Sequence, residues 1–256
     1  MRFALEVRQG RERALEFAEV LKGIIVSSGG EVVDADEPDM VLAVGGDGTM
    51  LAAVQLALRS DVPVLGFNLG TVGFLTEAEP DQVETVVQRL LTGDYQLHER
   101  MTIDATVNGR TATGVNDVVV EKVDSQRLID LDVTIDGSRF LTYRADGLIV
   151  STPTGSTAYS FSAGGPLVDP DLDAMVLSPV AAHSLFDRPL VVPASRRIEV
   201  TVVTDRPVKV SVDKNSLGNL ALGDRVLVTR GSSPARFVTF GERSFPSLLT
   251  EKFGLR

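Results

Sequence analysis

The 256-residue sequence has no cysteine and no tryptophan. Without cysteine, a disulfide framework and a thiolate metal site are both impossible. Histidine is scarce as well. Only His98 and His183 could offer imidazole, their separation gives no zinc pattern, and structural roles are expected for both. Positive charge is in deficit, with 25 Lys and Arg against 35 Asp and Glu, a net charge of −10. That balance argues against non-specific binding to nucleic acid or acidic membranes. No apolar run approaches the roughly 20 residues of a membrane helix. The charged segment Met1–Arg8 lacks a signal-peptide core. A cytoplasmic protein with no nucleic-acid and no membrane partner is expected.

What the chain does hold is a 43% hydrophobic complement, enough for a real core, and one commanding stretch. Met40–Val44 is a short apolar run that stops at Gly45-Gly46, as a buried parallel strand would. After Thr49, apolar residues mixed with alanines favour helix. Gly45–Thr49 therefore joins a strand's carboxyl end to a helix's amino end, where open α/β sheets bind ligands. Backbone amides at such a helix start favour phosphate, and those of Gly45, Gly46, Gly48 and Thr49 are the expected nest. The loop is neither a Walker loop nor the three-glycine dinucleotide fingerprint. Asp47 is out of place in an anion nest. It either caps the helix or has a job: holding a cation, binding a hydroxyl or accepting a proton.

The first hundred residues alternate strand and helix. Phe3, Leu5 and Val7 mark a strand, Arg11–Val26 a helix, Glu31–Val33 a short strand and Val62–Phe67 another. Asp81 is the expected cap of a helix bearing Val83, Val86, Val87, Leu90 and Leu91. Beyond Gly93-Asp94 the pattern turns to short strands, with hairpin signals at Asn108-Gly109 and Asp136-Gly137. This predicts an α/β N-terminal domain with a parallel, Rossmann-like sheet over residues 1–98. A mostly β, sandwich-like domain follows over 99–240, and 241–256 packs back on the first domain.

The second domain carries Arg144–Pro166, a run crowded with hydroxyls that holds Asp146 and four glycines. A polar loop with a helix cap at Ser156 or Thr157 is one reading, a nucleotide pocket the other. Asn116-Asp117, an amide beside a carboxylate entering a strand, reads alone as a turn. Together, Gly45–Thr49, Asn68–Thr76, Asn116-Asp117 and Asp146–Pro166 resemble the NAD kinase family in order and spacing, from about residue 38 onward. The Gly-Gly-Asp-Gly-Thr loop is shared with lipid kinases and phosphofructokinases, whereas the Asp146–Pro166 run is far more specific.

The resemblance implies transfer of the terminal phosphoryl group of ATP or polyphosphate to the adenosine 2′-hydroxyl of NAD, giving NADP. It implies a site between the domains, completed in a homodimer or homotetramer. Asp47 matches the catalytic aspartate, with Gly48 beside it in the NAD site. Asn116 and Asp117 match the adenine and ribose pair. Arg127, Arg144, Asp146, Thr157, Ala158, Tyr159, Ser162 and Asn215 fall on further NAD-contacting positions. Mg2+ or another divalent cation is expected on the donor phosphates, its protein ligands unassigned. Three residues depart from the usual pattern: Asp117 stands for Glu, Arg127 for His or Lys, and Asn215 for Gln. A lipid or sugar kinase sharing the loop, and a non-catalytic NAD-sensing module, are the alternatives.

Overall fold

The structure is a computed structural model that describes residues 1–34, 37–70, 73–241 and 244–255. The chain divides into two compact units, one of Met1–Glu99 with Ala235–Arg256 and one of Arg100–Pro234.

The first unit opens β1 (Arg2–Val7), α1 (Glu12–Ser27), β2 (Glu31–Val33), β3 (Met40–Gly45), α2 (Asp47–Ser60), β4 (Val64–Asn68), α3 (Val83–Thr92) and β5 (Gln96–Arg100). Every residue of β3 is buried, because helices cover both faces of the sheet. Met40, Leu42 and Val44 share a core with Leu21 and Ile25 of α1 and Val87 and Leu90 of α3. The alternate face belongs to α2. A side chain on Gly66 in β4 would press on Met50 of α2, while its neighbour Phe67 meets Phe17 of α1 with ring centroids 5.4 Å apart. Asp81 does not cap α3 as expected. Pro80 starts a 3-10 turn, Pro80–Gln82, and the reciprocal capping pair is Glu79 with Gln82.

The second unit runs β6 (Ile103–Val107), β7 (Arg110–Gly114), β8 (Asp117–Lys122), β9 (Ile129–Ile135), β10 (Ser138–Ala145), β11 (Gly147–Ser151), α4 (Tyr159–Ser162), β12 (Ala174–Val180), β13 (Leu190–Pro193), β14 (Ile198–Val202), β15 (Val208–Val212), β16 (Asn215–Leu220) and β17 (Arg225–Arg230). Two six-stranded sheets form, ordered β10-β9-β14-β17-β6-β7 and β13-β12-β11-β8-β15-β16. Valines and isoleucines from both, among them Val133, Val200 and Val228 of the first and Val120, Val150 and Val210 of the second, fill one core. This is the sandwich expected from the alternating pattern. Both hairpin signals form turns with positive φ, 48° and 77° at Asn108-Gly109 and 50° and 78° at Asp136-Gly137.

The chain then returns to the first unit through β18 (Ala235–Thr239) and α5 (Phe245–Phe253). The sequence reading ran the second domain to residue 240, but β18 pairs parallel with β4 in the first sheet, order β2-β1-β3-β4-β18-β5. Side-chain ties fix it there. Glu77 accepts from the Thr239 hydroxyl at 2.8 Å and the Phe240 amide at 2.7 Å, and Arg236 meets the Asp61 carboxylate at 2.8 Å. α5 is capped by Ser244 and lays Phe253 against Phe74, centroids 6.2 Å apart.

Candidate active site

In the first unit β3 ends at Gly45 and α2 begins at Asp47, with Gly46 as a cap that uses no side chain. Asp47 is thus the first helical residue rather than the cap. Its two carboxylate oxygens accept from the Phe74 and Leu75 amides, each at 3.1 Å. To the jobs expected of it the structure adds another: it pins the loop after β4. A side chain on Gly73 would collide with this carboxylate, which accounts for a glycine there. Asn68 holds the loop's other end, accepting from the Gly70 amide at 3.1 Å and donating to Glu79 at 3.2 Å. Thr71 and Val72, also part of the expected loop, lie outside the described residues.

The expected phosphate nest needs one correction. The Thr49 amide already donates to the Gly46 carbonyl at 2.9 Å. The Gly48 amide of the expected set lies in the first turn of α2 without an intrahelical partner, and the Asp47 amide beside it is in the same position. A side chain on Gly45 would strike Thr49, so the tight turn itself requires that glycine. The loop faces a cavity of about 540 Å³ whose lining includes Arg8, Arg11, Arg13 and Lys252. These are the local cations that phosphate chemistry on an acidic chain needs, and the sequence reading named none of them. The Arg8–Arg13 cluster just past β1 was the signal available.

In the second unit Asp117 opens β8, with Asn116 just before it. Asp117 is only 5% exposed. Burial, and then the carboxylate of Asp213, push its pKa up to about 7, against the pull of Lys214 and of the Tyr159 backbone N–H. The Asp146–Pro166 run folds onto this pair. The Asn116 carbonyl accepts from the Thr152 amide at 2.9 Å, and a side chain on Gly155 would land on the Asn116 backbone. Neither Ser156 nor Thr157 caps a helix. A 3-10 turn, Thr154–Thr157, follows Pro153, and α4 starts after Ala158 without a side-chain cap.

Tyr159 lies within electrostatic reach of Glu121, Asp146 and Asp117, and burial and then these charges raise its pKa. Asp146 is ion-paired with Lys122. Asn215 follows the β15–β16 turn that holds Asp213 and Lys214. The structure therefore gathers Asn116, Asp117, Asp146, Tyr159 and the turn before Asn215. Thr157 and Ala158 are half-buried on the same run, and Ser162 is exposed at its end. Arg127 and Arg144 are exposed, on the β8–β9 connection and on β10.

The chain matches the family described as ATP-NAD kinase N-terminal domain over residues 7–95 and ATP-NAD kinase C-terminal domain over 115–240. It belongs to the NAD kinase family. A relative named NAD kinase from Heliobacterium modesticaldum is 39% identical over 264 residues, covering 97% of this chain and 93% of that protein. Another from Moorella thermoacetica is 46% identical over 217 residues, 83% of this chain and 70% of that one. Among solved structures, an NAD kinase from Archaeoglobus fulgidus in complex with ATP superposes with a TM-score of 0.84 at 27% identity, each chain covered in full. Yeast NADH kinase complexed with NADH gives a TM-score of 0.92 at 23% identity over 100% of this chain and 88% of that one, a likeness of fold. The NAD kinase resemblance and the α/β-plus-β architecture read from the sequence both stand.

Proposed function

We propose that the chain is an NAD kinase, transferring the terminal phosphoryl group of ATP to the adenosine 2′-hydroxyl of NAD. The observation that carries the residue-level reading is Asp47 at the mouth of a cation-lined cavity, the sole acidic residue among the described lining. Phosphoryl transfer is chiefly positioning and charge stabilisation. The amides of Gly46, Asp47 and Gly48, with Arg8, Arg11, Arg13 and Lys252, hold the donor phosphates. Asp47 orients the 2′-hydroxyl or accepts its proton, a role worth roughly 10²–10⁴ in rate. Asn116 reads an adenine edge and Asp117 accepts from ribose hydroxyls, with Asp146, Thr157–Tyr159, Ser162 and Asn215 around them and Arg127 and Arg144 as outer contacts.

Mg2+ or another divalent cation, carried on the donor phosphates, would supply charge neutralisation, and Asp47 is the carboxylate of the described lining that would meet it. Such a site suits Mg2+, which commonly takes one or two carboxylates plus substrate phosphates. Polyphosphate is a second donor on the same reading, because Arg8, Arg11, Arg13 and Lys252 of the lining would meet any chain of phosphates. No helix among the described residues is long and apolar enough to cross a membrane, and a cytoplasmic location is part of the same proposal. So is a homodimer or homotetramer, supported by exposed Leu185 beside Phe186, whose ring meets Phe140 edge-on at 5.7 Å. Light scattering at assay concentration checks it, and an active monomer would overturn it. Incubating the purified protein with NAD, ATP and Mg2+ tests the function itself. NADP must appear, and its absence would leave a different kinase or a sensing module.

A further inference from the structure

The entry to β8 is held by a residue outside every stretch singled out from the sequence. Asp213 sits at the tip of the β15–β16 hairpin and is 5% exposed. One of its carboxylate oxygens accepts from the Val115 amide at 2.7 Å, the other from the Asn116 amide at 2.8 Å and the Asp117 amide at 3.2 Å. In return the Asp213 amide donates to the Asp117 carbonyl at 3.0 Å. Gly114 completes the fit, since a side chain there would lie 2.8 Å from the Asp213 carboxylate.

A two-residue hairpin turn does not need this. Asn-Gly would serve, and the chain instead holds Asp213 and Lys214 at φ 47° and 69°, a backbone region that favours glycine. Burying a second carboxylate beside Asp117 also costs free energy unless hydrogen bonds offset it. Three backbone amides do so, and all three belong to the segment that presents Asn116 and Asp117.

We propose that Asp213 is a positioning residue for the acceptor pocket, fixing the backbone from which Asn116 and Asp117 reach NAD and tying it to the turn before Asn215. This rests on the reading of Asn116 and Asp117 as NAD contacts. The groups that face Asp117 are Asp213 and Lys214 from the hairpin and the Tyr159 backbone N–H from α4. After burial, Asp213 thereby also raises the proton affinity of Asp117.

The test is steady-state kinetics of Asp213→Asn beside Asp117→Ala. Asn keeps the shape of Asp213 but removes the charge and presents a donor where one oxygen now accepts. The expected result is a KM for NAD raised about tenfold, as for a weakened charged hydrogen bond, with KM for ATP and kcat within about twofold. The pH midpoint of the NAD dependence should fall, because a neighbouring negative charge is gone. A merely structural role would move both KM values and kcat together with thermal stability, and would overturn the proposal. An effect of Asp117→Ala on NAD with none from Asp213→Asn overturns this inference alone. No effect of Asp117→Ala removes the acceptor reading and this inference with it. Should Asp213→Asn not fold, the wild-type chain still decides. The Val115, Asn116 and Asp117 amides must be protected from hydrogen exchange and gain protection when NAD binds, and amides that exchange freely in the NAD complex sink the idea.

Discussion

The two units hold carboxylates in opposite ways. In the α/β unit Asp47 is half-buried at the start of a helix, its oxygens met by two loop amides, with arginines and a lysine lining the cavity before it. In the β unit Asp117 and Asp213 are both 5% exposed, and Lys214 is the one cation acting on both. The first arrangement is open and electrostatic, suited to a mobile, highly charged phosphate chain. The second is buried and held by backbone hydrogen bonds, suited to reading neutral hydroxyls and amide edges. A pocket built around a hydroxyl leaves polar groups unpaired when that hydroxyl is missing, and this gives sharp selection. Discrimination should therefore reside in the β unit, and turnover in the α/β unit.

The most severe test of that division is Asp47→Asn. Turnover should fall roughly 10²–10⁴-fold while KM for NAD changes little. The substitution also leaves one of the Phe74 and Leu75 amides without its carboxylate oxygen, at about 1–3 kcal/mol for a group that stays buried. Thermal unfolding must accompany the kinetics. Near-wild-type turnover in a folded variant would remove Asp47 from the chemistry and leave it as a loop anchor.

Next in size is Asp117→Ala. Loss of a charged hydrogen bond of about 1.5–3 kcal/mol corresponds to a KM for NAD raised roughly ten- to a hundredfold. KM for ATP should hold, and discrimination against an analogue lacking the adenosine 3′-hydroxyl should weaken. A variant impaired towards ATP instead would exchange the roles of the two units.

The division was only partly legible in the sequence. Met40–Val44 declared itself because a strand covered on both faces is apolar throughout, and Asn108-Gly109 and Asp136-Gly137 because few residues take their backbone shape. The polar strands Gln96–Arg100 and Asn215–Leu220 and the short Leu190–Pro193 passed unread, having no apolar alternation of the expected length. Ala235–Thr239 was legible as a strand but not as a member of the first sheet. Its partner β4 lies far back in the chain, and the ties that fix it, Glu77 to Thr239 and Arg236 to Asp61, carry no local pattern. Asp47, Asn116 and Asp117 stood out because their side chains break the character of the loops around them. Asp213 did not, because its work is done on backbone amides nearly a hundred residues away. Lys252 lies on a short helix where a charged residue is ordinarily a solvated one.

The buried pair also makes a pH prediction. In the unfolded chain Asp117 loses its proton near 3.8, and in the fold near 7. Its folded pKa is raised, so its contribution to stability is complete below the unfolded value and is lost as pH rises through about 7. Binding runs the other way. On the proposed reading a ribose hydroxyl donates to the ionised carboxylate, so NAD should displace the proton, and KM for NAD should fall as pH rises. If only the ionised form binds, the change between about pH 6 and 8 is roughly tenfold. Asp117→Asn should flatten this profile, and a slope that survives the substitution assigns the titration elsewhere.

The smallest expected effect is at the cavity. Lys252, on α5, holds its ammonium 5.7 Å from the Phe74 ring centroid and lines the cavity with the three arginines. Phe74 is the residue whose amide Asp47 accepts, so α5, the loop after β4 and the helix start form one connected wall. Lys252→Ala removes a single charge on an exposed helix. An exposed ion pair is worth roughly 0.2–1 kcal/mol, so KM for ATP should rise only about two- to fivefold. The diagnostic is salt. A contact with a phosphate chain weakens as ionic strength rises, so the wild-type and Lys252→Ala values for ATP should converge between low and high salt. KM for NAD should remain the same in both proteins throughout. If the gap persists at high salt, Lys252 acts by packing α5 against Phe74 rather than by charge, and the cations of the α/β unit number one fewer than the cavity lining implies.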